Sequence, residues 1–174
     1  LDTKEISLNI QFEYGDRIVT SRLELEKLPF ASDFQLEQKV FQQTLSAGFE
    51  ADFVSKRLPL QPQEIYSFFT SILPRFKDLG KVVVSDNLTA LYQIEKPAVS
   101  IQTNGGLLDI GFDFTSIDQM EVDDALEALF SANDYFVSRS GKVLVFDDET
   151  KRVSKTLQDL RAKKGKGGIF QTQL

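Results

Sequence analysis

The sequence contains no cysteine, no histidine and no tryptophan among its 174 residues. Without cysteine and histidine there is no disulfide, no thiolate nucleophile, no Cys/His zinc site and no catalytic triad that uses histidine. The absence of cysteine is typical of a reducing compartment, and we expect a cytoplasmic location. No run approaches the roughly 18 apolar residues of a membrane span, and no basic-then-apolar segment begins the chain, so no membrane partner is expected.

What the chain does contain is the composition of an ordinary globular protein, with 41% hydrophobic and 26% charged residues. Its 15 phenylalanines fall at periodic positions, which indicates a role in the core rather than a platform for stacking bases. A length of 174 residues allows one composite domain or two small subdomains. The chain begins at Leu1 and its only methionine is Met120, so we expect a fragment of a longer protein.

Charge is unevenly spread along this chain, whose net charge is −6. Residues 151–174 carry seven cations against Asp159, a net of +6, so the other 150 residues carry −12. An acidic body repels nucleic acid, so duplex binding over the whole surface is not expected. The basic segment either contacts phosphates weakly and without sequence preference or is a solvated helix face that leads into a linker. Its candidate contacts to nucleic acid or a partner are Lys151, Arg152, Lys155, Arg161, Lys163, Lys164 and Lys166.

The first half of the chain reads as a hairpin followed by two helices. Alternating apolar residues predict strands, and apolar residues at helical spacing after a cap predict helices. The predicted elements are a strand from Ile6 to Tyr14, a turn at Gly15-Asp16, a return strand from Arg17 to about Leu25, a helix from Ser32 or Asp33 to about Ala47, and a helix after Pro62 that Pro74 ends or kinks near Leu73.

The second half reads as a larger antiparallel sheet with two helices. The predicted elements are a buried strand at Val82 to Val84, a hairpin of Ala98 to Thr103 with Leu107 to Phe114, a helix from Gln119 to Ser131, a hairpin around Gly141, and a last helix from about Glu149. Strands and helices do not alternate as parallel crossover units, so we predict an α+β fold with antiparallel sheets and about four helices. The predicted parts are residues 1–79, residues 80–162, and a basic linker at 163–174 toward a further C-terminal region.

A phosphate-binding loop is missing from the sequence. Such a loop ends in Gly-Lys followed by a hydroxyl residue that holds Mg²⁺. Gly80-Lys81, Gly141-Lys142 and Gly165-Lys166 are followed by valine, valine and glycine. The sequence therefore predicts no nucleotide cradle and no cofactor in this chain.

Two dense groups of carboxylates lie at predicted helix starts, where acids favour the positive end of the helix dipole. We interpret Asp118 with Glu121 as an acidic capping box, and the acids near Asp148 as a second cap. Metal binding or acid–base catalysis is the alternative, but no loop of fixed ligand spacing supports it. No catalytic, cofactor-binding or metal-ligating residue is therefore predicted.

Core and turn positions over essentially the whole chain carry a family resemblance. In the second half it rests on Leu107 to Phe114, Ile117-Asp118, Glu121, Ala125 to Phe130, Tyr135-Phe136 and Gly141. In the first half it rests on Phe12-x-Tyr14-Gly15-Asp16, Gly48-Phe49, Ile65-Tyr66-x-Phe68-Phe69, Leu73-Pro74 and Val82 to Ser85. This pattern resembles a helicase-associated domain of bacterial SWI/SNF-like proteins, which lies N-terminal to the helicase core. Ser138 and Ser140 depart from it before the hairpin glycine.

The resemblance implies a non-catalytic accessory module of a DNA-dependent ATPase. ATP and Mg²⁺ are then expected only on the helicase core, which is the implied partner, with DNA as a second one. Two alternatives remain at this point. The chain could be a stand-alone protein-interaction domain, or an enzyme that uses Asp or Glu, which the carboxylate positions disfavour.

Overall fold

The computed structural model describes residues 5–165 and 168–173. The chain divides into two compact units, residues 1–83 and 84–174. Helices and small, mainly antiparallel sheets confirm the predicted α+β class. Four of the described α-helices have seven residues or more, in line with the prediction of about four.

The first unit builds two separate two-stranded sheets in place of one long hairpin. It contains β1 (Ile6–Asn9), β2 (Phe12–Tyr14), β3 (Arg17–Val19), α1 (Arg22–Glu26), α2 (Phe34–Ser46), β4 (Val54–Arg57), α3 (Pro62–Ser67), a π-helical turn (Phe68–Ile72) and α4 (Leu73–Leu79). The strand predicted from residue 6 to residue 14 is broken after Asn9, since β1 pairs with β4 whereas β2 pairs with β3. The return strand stops at Val19 because the Ser21 hydroxyl accepts a hydrogen bond from the Glu24 amide at 3.2 Å and caps a short helix.

Three phenylalanines form the centre of the first unit. The rings of Phe12, Phe41 and Phe53 meet edge to face, with centroids 5.6 to 5.9 Å apart. Ile10 and Val19 are buried against the same cluster. Edge-to-face pairs add about 0.5–1.5 kcal/mol each beyond the burial of apolar surface. The phenylalanine-rich composition therefore serves packing here, as the periodic positions indicated.

A π-helical turn joins α3 to α4, where the sequence predicted an end or a kink. Pro74 has no amide hydrogen to donate to the carbonyl of Thr70, so regular α-helical bonding cannot continue at this point. The amide of Leu73 donates instead to the carbonyl of Phe68, five residues back. The widened turn absorbs the proline, and the helix continues to Leu79.

The strand predicted at Val82 to Val84 is wrong. These residues are neither helix nor strand, and Val83 is 84% exposed. The run straddles the boundary between the two units, and no described strand pairs with it. Three β-branched residues favour a strand only where a partner and a core are available, so propensity alone misled the prediction.

The second unit contains a four-stranded antiparallel sheet and a three-stranded mixed one. Its elements are α5 (Asp86–Thr89), β5 (Tyr92–Glu95), β6 (Ala98–Asn104), β7 (Leu107–Asp113), a 3₁₀ turn (Gln119–Glu121), α6 (Val122–Phe130), β8 (Phe136–Val137), β9 (Val143–Phe146), α7 (Asp148–Asp159), β10 (Lys163–Lys164) and β11 (Ile169–Gln173). The strand orders are β10-β11-β7-β6 and β5-β9-β8, with β5 and β9 parallel. The predicted hairpin of residues 98–114 is present in antiparallel register.

The core of the second unit lies between the four-stranded sheet and helices α6 and α7. Leu126 of α6 and Leu144 of β9 are fully buried. Phe112 and Phe170 meet edge to face at 5.9 Å, and Phe130 stacks on Phe170 at 4.4 Å. Strand β11 therefore contributes directly to this core.

The structure differs from the predicted linker at residues 163–174. Strand β11 pairs with β7 over five residues, from Ile169 opposite Gly111 to Gln173, and β10 pairs with β11. Two of the glycines that predicted flexibility have defined conformations: the Gly165 amide donates to the carbonyl of Ile169 at 2.7 Å, and Gly168 has a φ of 78°. The amino-acid composition of a flexible linker is similar to that of a hairpin whose second strand is short and polar, so composition alone could not distinguish the two.

Candidate functional site

Six of the seven basic candidates lie on α7, the turn after it and β10, which precede the last described strand. All six are exposed to solvent. The α7 helix carries Lys151, Arg152 and Lys155, the turn after it carries Arg161, and β10 carries Lys163 and Lys164. Lys166 lies outside the described residues.

Helix α7 turns its cations to solvent because its other face is buried. The buried positions recur every three or four residues: Thr150, Ser154 and Leu157. At about 3.6 residues per turn, the three cations fall on the opposite side together with Asp148 and Asp159. The basic face of α7 is thus interleaved with carboxylates, which lowers its local positive potential.

Two of the cations are engaged with neighbouring groups. Arg152 donates from Nε to the carbonyl of Asp148 at 3.3 Å. Lys164 turns toward helix α6, where its Nζ lies 3.4 Å from Oδ1 of Asp123. At about 1.5 Å of rise per residue, the three cations of α7 span only about 6 Å along the helix axis, which is within the Debye length at physiological salt. The cations of α7 therefore share one stretch of the helix face, whereas Lys164 is paired with a carboxylate of α6.

Arg161 occupies a special backbone position at the end of α7. Its φ is 53°, in the left-handed region that glycine normally fills. The Arg161 amide donates to the carbonyl of Gln158 at 3.0 Å, and the Ala162 amide donates to the carbonyl of Leu157 at 3.0 Å. This pair of bonds is the Schellman arrangement, which satisfies the last carbonyls of the helix. The conformation of Arg161 is therefore set by helix termination, and its side chain is free to point to solvent.

Replacing Arg161 with glycine is expected to stabilise the second unit by about 1 kcal/mol. Glycine relieves the strain that a side chain suffers in the left-handed region. Ala132, with a φ of 55° after α6, offers a matched second position, and Ala132→Gly should act in the same direction. Urea unfolding followed by circular dichroism measures both variants. A loss of stability in both would contradict the assigned backbone geometry.

Asp147 caps the helix that carries the cations. Its carboxylate accepts a hydrogen bond from the Thr150 amide at 2.9 Å and another from the Thr150 hydroxyl. Burial alone would raise the pKa of Asp147, but these bonds and the charges of Lys96 and Arg152 outweigh it and lower the pKa. The sequence placed this cap near Asp148, and the structure places it one residue earlier.

Asp147→Ala is expected to cost about 1 kcal/mol at neutral pH, the usual effect of losing an N-cap. Because the folded-state pKa is lowered, the stabilisation is complete above the unfolded-state pKa and is lost as the pH falls through the folded-state pKa. The unfolding free energies of the wild type and the variant should therefore converge in acid. Asp148→Ala is the control, since this neighbour has no capping bond among the described contacts. A difference that stays constant into acid would contradict the assignment.

Glu121 does not close the capping box that the sequence predicted with Asp118. Asp118 caps as expected, and its Oδ1 accepts from the Met120 amide at 3.0 Å. The Glu121 carboxylate, 7% exposed, instead accepts from the Arg139 amide at 2.6 Å. It therefore joins the start of α6 to the hairpin of β8 and β9. Sequence reasoning missed this role because the partner lies 18 residues away.

Two further carboxylates are buried, and sequence reasoning did not single them out. Glu95 is 1% exposed and accepts from the Thr115 amide at 3.1 Å. Glu37 is 4% exposed and accepts from the hydroxyl of Tyr14. Burial first, and then the bond to Glu37, raises the pKa of Tyr14. Both acids form hydrogen bonds between segments that are distant along the chain, and no local sequence pattern predicts this role.

No group of three or more acidic residues within residues 5–165 and 168–173 is arranged to hold a metal ion. Over the same described ranges, no helix combines the length and the apolar character needed to cross a membrane. The described basic candidates thus lie on the exposed face of a helix that is capped by Asp147, and on the short segments that follow this helix. Buried carboxylates, by contrast, link distant segments within the fold.

Comparison with protein families gives a match over residues 1–172 to a family described as bacterial SNF2 helicase associated. Comparison with curated proteins and with solved structures gives no match. The family match spans both compact units and confirms the resemblance found in the sequence. The chain therefore belongs to the bacterial SNF2 helicase associated family.

Proposed function

We propose that this chain is a non-catalytic accessory module that packs on the helicase core of an SNF2-type ATPase and regulates or positions it. The observation that carries the proposal is the family match over residues 1–172. The proposed partner is the helicase core of the same protein, on which ATP and Mg²⁺ would bind. Cytoplasmic location follows from this role.

The residue inventory supports a non-catalytic role. The sequence has no cysteine or histidine, and no Gly-Lys in it is followed by serine or threonine. The buried carboxylates Glu37, Glu95 and Glu121 each accept a hydrogen bond from a group inside their own unit. Groups engaged in this way hold the fold together and are poorly placed to exchange protons with a substrate.

The charge distribution supports contact with a motor that handles DNA. Residues 1–150 carry −12, and a basic DNA-binding channel on a helicase core would be electrostatically complementary to them. Complementary charge accelerates encounter and fixes orientation more than it adds affinity. The association should therefore slow as salt screens the charges.

Isothermal titration of the 174-residue chain into the purified helicase core of the same protein tests the proposal. Saturable binding that weakens with salt is the expected result. A matched control titrates the chain into an unrelated ATPase of similar charge, where no binding is expected. Absence of association with its own core would contradict the proposal and favour a stand-alone protein-interaction domain.

Helicase motifs downstream in the parent gene would support the accessory role, and a stop codon shortly after Leu174 would support the alternative.

DNA is the second proposed partner, through the basic face of α7 and β10. A labelled duplex at low salt should raise fluorescence anisotropy weakly and without sequence preference. The double variant Lys151→Gln/Lys155→Gln should reduce the slope of log affinity against log salt by about 2. The control Lys39→Gln/Lys77→Gln removes equal charge from the first unit and should leave the slope unchanged. Failure of the intact chain to bind at low salt would remove DNA from its partners.

A further inference from the structure

Strand β6 is an open edge of the four-stranded sheet. It lies last in the order β10-β11-β7-β6, so only one of its two sides is paired among the described strands. All seven residues from Ala98 to Asn104 are exposed. Its outer amide and carbonyl groups therefore form a row that another extended chain could pair with.

The two edge strands of this sheet differ in length and in charge. The opposite edge, β10, is two residues long, and both residues are lysines. Short length and charge are standard protections against unwanted strand pairing. Strand β6 is seven residues long and contains neither charge nor proline. An edge that lacks these protections is suited to accept a strand.

The two faces of β6 define what would pair with it. On the core side, Val99 lies opposite Phe112 and Ile101 opposite Ile110. Both β7 residues are buried, whereas Val99 is 41% and Ile101 66% exposed, so β6 overhangs the core. β-branched side chains on an added strand would cover the exposed side chains of Val99 and Ile101.

The other face of the edge is acidic. Asp113 lies opposite Ala98, and Asp109, whose Oδ1 accepts a hydrogen bond from Nε2 of Gln171 at 2.9 Å, lies opposite Gln102. Neither β6 nor β7 contains a lysine or arginine. An added strand would lie about 10 Å from β7, two strand spacings away, and the small Ala98 leaves Asp113 within reach of a long cation from that strand.

We propose that the free edge of β6 binds an extended segment of the helicase core in which β-branched residues alternate with lysine or arginine. The inference rests on the proposed function, because it takes the segment from that core. A second copy of this chain fits less well, since its own β6 carries no cation to face Asp113. Strand addition supplies main-chain hydrogen bonds, and the alternating side chains supply specificity.

A labelled peptide of alternating lysine and valine probes the edge directly. We expect saturable binding to the 174-residue chain and about tenfold weaker binding to Ile101→Lys, which places a cation on the edge strand. Val83→Lys is the control, because it adds the same charge at an exposed residue outside any strand. A peptide with proline in place of the central valine keeps its charge but loses pairing, and should not bind. Equal binding to both variants, or binding of the proline peptide, would overturn the proposal.

The helicase core separates failure of this inference from failure of the proposed function. If Ile101→Lys weakens association with the core and Val83→Lys does not, the edge is the docking site. If both variants bind the core as the wild type does, the accessory role stands and the β6 site is rejected. If the wild type does not bind the core at all, the proposed function is wrong. The helicase core then cannot be the source of the segment that binds β6. Dimerisation of the chain that Ile101→Lys abolishes would assign the edge to a second copy and overturn the proposal.

Discussion

Replacing Phe170 with alanine is expected to destabilise the second unit by about 3–5 kcal/mol, the usual cost of emptying a buried phenylalanine site. The side chain is 3% exposed and contacts the rings of Phe112 and Phe130. It also lies on the strand that completes the sheet beside β7. Its removal would leave a cavity and would loosen β11. Urea unfolding monitored by far-ultraviolet circular dichroism measures the loss.

Ile169→Ala is the matched control for this prediction. Ile169 is the preceding residue of the same strand, but it is 42% exposed and points to the other face of the sheet. Its replacement should cost well under about 1 kcal/mol, as is usual for surface positions. A Phe170→Ala variant as stable as Ile169→Ala would mean that residues 169–173 are a linker after all.

Replacing Arg57 with alanine is expected to cost the first unit about 2–3 kcal/mol. Its Nη1 donates to the carbonyl of Ala47 at 2.6 Å and its Nη2 donates to Glu64 at 2.7 Å. The side chain is only 17% exposed, and its guanidinium lies 6.0 Å from the ring centre of Phe49. Removal would leave the end of α2 and the start of α3 without a charged hydrogen-bond donor. Because hydrogen bonds to charged groups contribute about 1.5–3 kcal/mol, we expect a loss of this size. Thermal and urea unfolding measure the effect.

Two neighbouring changes test the geometry of Arg57. Arg57→Lys keeps the charge but not the planar fork, and should recover less than half of the loss. Lys56→Ala removes the adjacent cation, which is 61% exposed and lies 3.5 Å from Glu5. That exposed pair should contribute less than about 1 kcal/mol. Equal losses for Arg57→Ala and Lys56→Ala would show that the Arg57 contacts contribute nothing specific.

The elements that the sequence predicted well are those whose local and tertiary signals agree. Helix α2 starts at the Asp33 cap and ends before Gly48, whose φ of 79° glycine adopts easily. The β6–β7 hairpin turns at Gly105 and Gly106, both with positive φ. In each case the turn or cap residues and the apolar period indicate the same boundary.

The elements that the sequence missed depend on partners that it does not reveal. The alternation from residue 6 to residue 14 is genuine, yet β1 and β2 pair with different strands. The valines at 82–84 have strand propensity but no described partner. Phe170 looks like an isolated apolar residue in a polar tail until β11 is placed beside β7. Pairing over long sequence separations decides all three.

The candidate site was predictable only in part. The cations and the two caps could be located from composition and helix-start signals, to within one residue for Asp147. The pairing of Lys164 with Asp123, and the burial of Glu95 and Glu121, require the tertiary structure. A run of charges in a sequence indicates an exposed face but not a distant carboxylate, here that of Asp123, that pairs with one of its cations.

The most direct test of an accessory, non-catalytic role compares ATP hydrolysis by the full-length protein with that of a variant lacking residues 1–172. Steady-state rates are measured with and without duplex DNA, and circular dichroism verifies that the shortened protein is folded. We predict that the shortened protein still hydrolyses ATP, with a changed rate or a changed dependence on DNA. Complete loss of hydrolysis in a folded variant would contradict the prediction that the core hydrolyses ATP without this module. Identical rates at every DNA concentration would contradict its coupling to the motor.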